Sequence, residues 1–151
     1  MKFVSSVLVF LWLGLTACDG PASSTEFEND PVEVQAIKTV LNHQASDWSE
    51  GNLENFMQGY WNSDSLMFVG ANGITHGWQA TLDNYKRRYP DTSHTGMLDF
   101  EILYLQKMGP KHYYMIGKFQ LTREVGDASG YFSLVWRKIN GEWKVVVDHT
   151  G

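Results

Sequence analysis

The sequence predicts an α+β domain in which helices come first and an antiparallel sheet follows. Apolar residues recur at three- and four-residue intervals over residues 31–60 and 78–89, as they do on one face of a helix. From residue 94 to the end, four runs rich in aromatic and β-branched residues are separated by Gly-Pro, Gly-Asp and Asn-Gly turns. Short turns make consecutive strands antiparallel neighbours, so the helices should pack on one face of a sheet.

The first helix is predicted over residues 31–49 from its start and stop signals. Asp30 can cap it, Pro31 suits the first helical position, and Glu33 would complete a capping box. Gly51 ends the helix. The apolar stripe between these signals comprises Val34, Ile37, Leu41, Ala45 and Trp48.

A short second helix and a hairpin are predicted next. Asn52 can cap the helix, whose apolar residues run to Tyr60, with Trp61 at its exit. After residue 65 the sequence alternates and then breaks at Asn72-Gly73, a dipeptide typical of tight hairpins. We therefore expect a strand, a tight turn and a short strand.

The third helix should begin after Gly77 and stop at Pro90, because proline cannot continue a helix. Its inward face comprises Trp78, Leu82, Tyr85 and Tyr89, with Arg88 at the border. The four strand runs that follow are residues 94–109, 112–124, 130–139 and 142–150.

The start of the chain reads as an export signal. One positive charge at Lys2 is followed by an apolar or small stretch over residues 3–17. The next feature resembles the bacterial lipoprotein signal, which is cut just before a cysteine that carries lipid. The four residues that carry this resemblance are Leu15, Thr16, Ala17 and Cys18.

The lipoprotein resemblance implies a signal peptide at residues 1–17, a flexible tether at 18–29 and a folded domain at 30–151. Lipid on Cys18 would anchor the protein to a membrane of the bacterial cell envelope, exposed to the periplasm or the exterior. The alternatives are an ordinary signal peptide that leaves a free thiol, and a short anchor helix that is never cleaved.

Composition and motifs argue against nucleic acid, an internal disulfide and a metal. The formal net charge of −5 at pH 7 argues against nucleic acid as the main partner. Cys18 is the only cysteine, so an internal disulfide cannot form. The sequence contains no HExxH motif, no cysteine–histidine cluster and no two histidines at metal-ligand spacing on one element, so we expect neither a metal nor another cofactor.

The order of these elements resembles the nuclear transport factor 2-like superfamily and, within it, the SnoaL-like, ketosteroid-isomerase-like branch. The resemblance spans residues 31–151, and the stretches that carry it are LENFMQGYW, FVGANGITHGW, WQATLDNYKRRYP and SLVWRKINGEWKVVVDHTG. It implies a cone-shaped fold in which three N-terminal helices pack on a strongly curved, mainly antiparallel β-sheet. It also implies a cavity open at the wide end and a homodimer formed through the outer sheet face.

Members of the superfamily include isomerases, cyclases, dehydratases and small-ligand binders, so the fold alone does not name a reaction. The isomerase members use a carboxylate base, with a tyrosine and a neutral acid that bind the oxyanion. Tyr60 or Tyr85 suits the tyrosine's role here, but no carboxylate falls on an inward apolar face. Asp99 and Glu101 occupy the solvated face of their strand, so steroid-isomerase chemistry is not expected.

A period of two sorts the last strand into two faces. One face holds Trp143, Val145, Val147 and His149, and the other holds Lys144, Val146 and Asp148. The face with the ring should meet the helices, so His149 is expected in the cavity and Asp148 at the rim. Histidine suits a general base at neutral pH, with Tyr85 or Tyr60 as the oxyanion donor. The alternative is a strand-end histidine that satisfies backbone groups.

Aromatic residues make up 14% of the chain, which indicates either a ring-rich core or a pocket lined by rings. We expect a cavity that binds a small, partly apolar molecule. Its predicted walls are Trp48, Tyr60, Trp61, Phe68, Trp78, Tyr85 and Trp136, with His149 and Arg88 as polar contacts.

Two other functions stay open at this point. One is an isomerase, cyclase or dehydratase that uses His149 as general base. The other is a dimeric interaction module whose cavity is filled by its own side chains. Arg88 likewise has two interpretations, as a bidentate grip on a carboxylate-bearing ligand or as part of a solvated, basic helix end.

Overall fold

The computed structural model describes residues 27–151, so the predicted export signal and most of the tether lie outside the described residues. The elements of the described part, in order, are α1 (Pro31–Ser49), α2 (Leu53–Phe56), a 3₁₀ turn (Met57–Gly59), β1 (Met67–Gly70), β2 (Gly73–His76), α3 (Trp78–Arg88), α4 (Thr92–Thr95), β3 (Met97–Gly109), β4 (His112–Thr122), β5 (Ala128–Ile139) and β6 (Glu142–Thr150). The predicted order of helices and strands is confirmed, and α4 is a single turn that was not predicted. Within residues 27–151, no helix is both long and apolar enough to cross a membrane.

The six strands form one curved, unclosed sheet in the order β2-β1-β6-β5-β4-β3. Every neighbouring pair is antiparallel except β1 and β6, which are parallel. Ile37 and Leu41 of α1 are at most 3% exposed and pack in one core with Trp136 and Val145 of the sheet, both fully buried. The structure therefore confirms the predicted α+β class and the cone-shaped arrangement of helices on a mainly antiparallel sheet.

The start of α1 differs from the prediction in one side chain. Asp30 caps the helix as expected, accepting a backbone hydrogen bond at 2.9 Å. Glu33 does not complete a capping box, because the Asp30 N–H already donates to the Tyr113 hydroxyl at 3.1 Å. The Glu33 carboxylate instead accepts from Lys138 Nζ and from Trp143 Nε1, each at 2.6 Å, and so ties α1 to β5 and β6.

The second helix and the hairpin are present with shifted bounds. Asn52 caps α2 through its side chain, and the chain then tightens into the 3₁₀ turn. The turn of the hairpin lies one residue earlier than predicted, because Gly73 already pairs with Gly70.

The last strand contains a β-bulge at Val146. Val145 pairs with Trp136, while Val147 pairs with Val135, the residue next to Trp136. Val146 is therefore the extra residue, and a bulge of this kind interrupts the alternation of side chains along a strand.

The bulge reverses which residues of β6 face the helices. Asp148 pairs with Leu134 on the inner face and is only 3% exposed, whereas His149 pairs with Ser133 on the outer face and is exposed. The expectation that His149 points inward and Asp148 lies at the rim was therefore wrong. The physical reason is that a constant period of two does not hold across the extra residue.

Candidate functional site

A cavity of about 380 Å³ opens between the helices and the inner face of the sheet. Its volume falls within the range of small-molecule sites. Nine aromatic rings line it: Trp48, Phe56, Tyr60, Phe68, Tyr85, Tyr89, Phe100, Phe119 and Phe132. The other lining side chains are Ala71, Arg88, Leu98, Leu121, Arg123, Ala128 and Thr150. The cavity is thus apolar and aromatic, with few polar groups.

Edge-to-face contacts fix the helical wall of the cavity. The Trp48 ring lies 4.9 Å from Phe56, 5.4 Å from Tyr85 and 4.7 Å from Tyr89, centroid to centroid. Its Nε1–H donates to the Thr95 carbonyl at 3.0 Å, which holds the indole in place. Such aromatic pairs contribute about 0.5–1.5 kcal/mol each beyond the area they bury, so this wall is well ordered before any ligand arrives.

The sheet wall depends on a close approach at Gly117. Phe132 of β5 stacks edge-to-face on Phe100 of β3, with 5.4 Å between the ring centroids. Gly117 lies on the strand between them, and a β-carbon there would collide with the Phe132 ring. The glycine therefore gives Phe132 the space it occupies beside the cavity.

The polar floor of the cavity is built on Asp148. The Tyr60 hydroxyl donates to Asp148 Oδ2 at 2.6 Å, and the Thr150 hydroxyl donates to Oδ1 at 2.5 Å. Tyr60 is 5% exposed and Asp148 is 3% exposed. Tyr60 and Thr150 line the cavity while Asp148 does not, so the carboxyl group lies behind two residues of the cavity wall.

Burial governs how these groups hold their protons. Desolvation raises the pKa of Asp148 above its ordinary 3.8, although the hydrogen bonds from Thr150 and Tyr60 oppose the shift. Burial also raises the pKa of Tyr60 and of Tyr85 well above 10, and the nearby Asp148 carboxylate adds to both shifts. Both phenols therefore stay protonated at neutral pH and act as hydrogen-bond donors.

The protonation state of Asp148 decides what this floor can do chemically. When the carboxyl is ionised, it accepts from both hydroxyl groups and holds their oxygens ready to accept from a ligand. When it is protonated, it can donate one hydrogen bond of its own, which frees the Tyr60 O–H to donate into the cavity. Among residues 27–151, no group of three or more His, Cys, Asp or Glu side chains is placed to hold a metal ion.

Five of the predicted site residues line the cavity: Trp48, Tyr60, Phe68, Tyr85 and Arg88. They come from α1, the end of the 3₁₀ turn, β1 and α3, which the fold brings together around one space. Their role in binding stays a prediction.

Three predicted wall residues lie elsewhere. Trp61 stacks under the Arg137 guanidinium, 4.2 Å from its ring centroid, outside the cavity. The Trp78 Nε1–H donates to the Met57 carbonyl at 2.8 Å and ties α3 to the 3₁₀ turn. Trp136 is fully buried in the core, where its Nε1 has no hydrogen-bond partner among the described residues. These rings stabilise the fold around the cavity and do not form its surface.

His149 also lies away from the cavity. It occupies the outer sheet face between Ser133 of β5 and Val69 of β1, and it is not among the lining residues. Its exposed position separates it from Tyr60 and Tyr85, the two hydroxyl groups with which it was expected to act.

Several lining residues were not predicted, and some of them had a signal in the sequence. The period that places Phe119 and Leu121 of β4 inward also carries Arg123 to that side, and Phe132 follows from the alternation of β5. Asp148 and Thr150 had no such signal, because their orientation depends on the bulge.

The fold and the site define an α+β cone with an aromatic cavity between its helices and its sheet. A nuclear transport factor 2-like protein of unknown function from Shewanella oneidensis MR-1 is similar to 78% of this chain over 98% of its own length, with 31% identity and a TM-score of 0.75. The chain therefore belongs to the nuclear transport factor 2-like family.

More distant solved structures share the fold. A ketosteroid isomerase-like protein from Erwinia carotovora atroseptica has a TM-score of 0.62 at 12% identity, covering 80% of this chain and 96% of its own. A nuclear transport factor 2-like superfamily protein from Salmonella enterica has a TM-score of 0.59 at 18% identity, covering 78% of this chain and 88% of its own. No family model matches the sequence. No curated protein matches it significantly.

The raised pKa of Asp148 predicts how its contribution to stability depends on pH. In the native state the carboxyl binds its proton more tightly than in the unfolded chain, so its contribution is fully present below pH 3.8 and is lost as pH rises through the raised native pKa. The unfolding free energy of wild type minus that of Asp148→Asn should therefore fall as pH rises from about 4, by about 1.4 kcal/mol for each pH unit by which the native pKa of Asp148 exceeds 3.8. Urea unfolding of both proteins between pH 4 and 8 measures this difference.

Asp99→Asn, on the exposed outer face, is the matched control for the loss of one carboxylate. If the unfolding free energy of wild type minus that of Asp148→Asn instead rose with pH, the fold would stabilise the ionised carboxylate, which contradicts the prediction.

Proposed function

We propose that this domain binds a small, partly apolar molecule in the aromatic cavity. The observation that carries the proposal is the combination of an open space of about 380 Å³, nine lining rings, and a floor of hydroxyl groups held by a buried carboxyl. Ring surfaces gain roughly 25 cal/mol for each Å² of apolar area that a ligand removes from water. The ordered hydroxyl groups would fix the ligand's orientation.

The floor favours a ligand with an oxygen or nitrogen at its inner end. Tyr60 is fixed by its 2.6 Å bond to Asp148, so binding does not have to order that side chain. Tyr85 contacts Trp48 and Phe56, which fixes the direction of its phenol ring, and Phe56 also contacts Tyr60. The Tyr60 hydroxyl can donate to or accept from the ligand, according to the protonation of Asp148.

A second candidate function is acid–base catalysis on a ligand held in this cavity, by an isomerase, cyclase or dehydratase. One observation favours it: the buried Asp148 has a raised pKa and is hydrogen-bonded to a tyrosine that lines the cavity. A carboxyl group whose pKa burial raises keeps its proton to a higher pH than a free aspartate, and Tyr60 would donate to a developing oxyanion. Asp148 would act through Tyr60. It would take the acid–base role that was predicted for His149, which lies outside the cavity.

The outer sheet face supports a homodimer as the assembled form. The described strands place on it a group of apolar and aromatic side chains: Met67, Tyr104, Tyr114, Ile116, Tyr131, Val135 and Val147. Tyr104 is 47% exposed and Tyr131 is 58% exposed in the single chain. Pairing of two such faces would bury these rings and leave the cavity, on the opposite side of the sheet, free for a ligand.

The start of the chain supports anchoring of the domain to a membrane of the bacterial cell envelope. Residues 15–18 match the lipoprotein signal at every position, with Cys18 as the residue that carries lipid. Each buried methylene of an acyl chain adds roughly 0.8 kcal/mol, so several chains would hold the protein firmly.

The ligand proposal predicts that filling the cavity removes a molecule that copurifies with the protein. Ala128 lines the cavity, and Ala128→Phe would occupy it with a ring. We expect native mass spectrometry to show a bound small molecule on wild type, and at least a roughly tenfold lower occupancy on Ala128→Phe. Ser129→Phe is the matched control, because Ser129 follows Ala128 on the exposed face of β5.

Equal occupancy on Ala128→Phe and wild type would contradict binding in this cavity.

The same experiment separates a binder from an enzyme when Tyr60→Phe is included. A binder carries the same molecule on both proteins, whereas an enzyme carries product on wild type and accumulates the unconverted molecule on Tyr60→Phe.

Lipid attachment predicts that radioactive palmitate labels the wild-type protein in bacterial cells and that Cys18→Ser abolishes the label. The thiol is the only group of its kind in the chain, so the substitution removes the attachment site completely. A labelled Cys18→Ser protein would contradict the anchor.

The dimer proposal predicts that Val135→Asp, at the outer face of β5, converts a dimer into a monomer in sedimentation equilibrium. A charge at that position would be desolvated by the partner's face at a cost of several kcal/mol. Gln35→Asp, on the exposed side of α1, adds the same charge away from the sheet and should leave the dimer intact. A wild-type protein that sediments as a monomer, or a Val135→Asp dimer as stable as wild type, would rule out this interface.

A further inference from the structure

Two arginine side chains line the aromatic cavity. Arg88 is the last residue of α3, and Arg123 follows directly after β4. Arg88 is exposed and Arg123 is half-buried. Both guanidinium groups therefore lie where the cavity opens to solvent, which we call its mouth. None of the lining side chains is acidic, so the mouth carries positive charge on a chain whose formal net charge is −5.

Neither guanidinium group is paired with a carboxylate in the described part of the chain. The ion pairs there involve lysine and histidine only. Arg123 Nε donates to the Gly126 carbonyl at 2.7 Å, which fixes the side chain while leaving its terminal nitrogens without a partner among residues 27–151. Arg88 has no side-chain hydrogen bond to any described residue.

The neighbouring arginine offers a comparison outside the aromatic cavity. Arg87, one residue earlier on α3, bonds to the Asn84 side chain and does not line the aromatic cavity. Four lysine side chains elsewhere on the domain pair with acidic groups: Lys86, Lys118, Lys138 and Lys144. The two mouth arginines are therefore left as donors where a ligand would enter.

From this geometry we propose that the ligand is an organic carboxylate with a ring-sized apolar body. This inference rests on the proposed binding function. The planar guanidinium fork matches a carboxylate with two parallel hydrogen bonds, and Arg88 and Arg123 together offer more donors than one carboxylate can accept. The anionic end stays at the mouth while the apolar body meets Phe56, Phe100 and Phe132 further in.

The same arrangement selects against a neutral ligand of the same shape. A neutral molecule would cover the arginine donors without offering them an anionic acceptor, and groups left unpaired in this way reduce affinity. The overall negative charge of the chain also disfavours adventitious binding of anions elsewhere on its surface.

Naphthalene-2-carboxylate and naphthalene-2-carboxamide test the inference, because they share a two-ring body and differ in charge. Isothermal titration calorimetry should give a Kd at least about tenfold lower for the carboxylate than for the amide. Arg88→Gln and Arg123→Gln should each remove most of that preference, because each weakens the binding of the carboxylate more than that of the amide. Arg87→Gln removes the same charge from the same helix outside the cavity and should keep the preference.

The outcomes separate this inference from the function on which it rests. Equal affinities for the two probes would overturn the carboxylate inference and leave the apolar binding function standing. A preference that survives in the Arg88→Gln, Arg123→Gln double variant would also overturn it. Failure of both probes to bind wild type would overturn the binding function and the inference together.

Discussion

The hydrogen bond between Tyr60 and Asp148 is the interaction on which the candidate site depends. The two residues are 88 positions apart in the sequence, yet their oxygens lie 2.6 Å apart beneath the cavity. The bond exists because the bulge at Val146 turns Asp148 to the inner face of β6. Without that extra residue, the strand would place His149 inward and leave Tyr60 without its carboxylate.

Burying the Asp148 carboxyl costs free energy, and the hydrogen bonds that it accepts offset part of that cost. Removing an ionised carboxylate from water costs several kcal/mol unless hydrogen bonds replace its hydration. Tyr60 and Thr150 each donate to one carboxylate oxygen. The remaining cost appears as the raised pKa of Asp148, and the same burial keeps the neighbouring phenols protonated. A cavity that is otherwise aromatic thereby gains hydroxyl groups in fixed positions.

The helical half of the fold and site could be predicted, since a helix keeps one period over its whole length. The stripe that ends at Trp48 and the face that holds Tyr85 gave the correct side of α1 and α3. Arg88 at the border of that face lines the cavity, as the same spacing predicts. Residues 1–26, where the lipoprotein signal falls, lie outside the described part of the chain.

The last strand could not be predicted in the same way. Three consecutive valines, 145–147, look alike on both faces, so the sequence carries no mark of the bulge. Ring size was also an unreliable guide, because Trp136 fills the core while the smaller Phe132 lines the cavity. Which large ring packs and which remains accessible depends on contacts between distant strands.

The burial of Asp148 against Tyr60 is tested most directly by titrating the Asp148 carboxyl in the folded protein, followed by carbon-13 NMR. The midpoint should lie above 3.8 and should rise further in Tyr60→Phe, because that variant removes a hydrogen bond that favours the ionised form. A midpoint at or below 3.8 that is unchanged by Tyr60→Phe would contradict the claim that the bulge buries Asp148 against Tyr60.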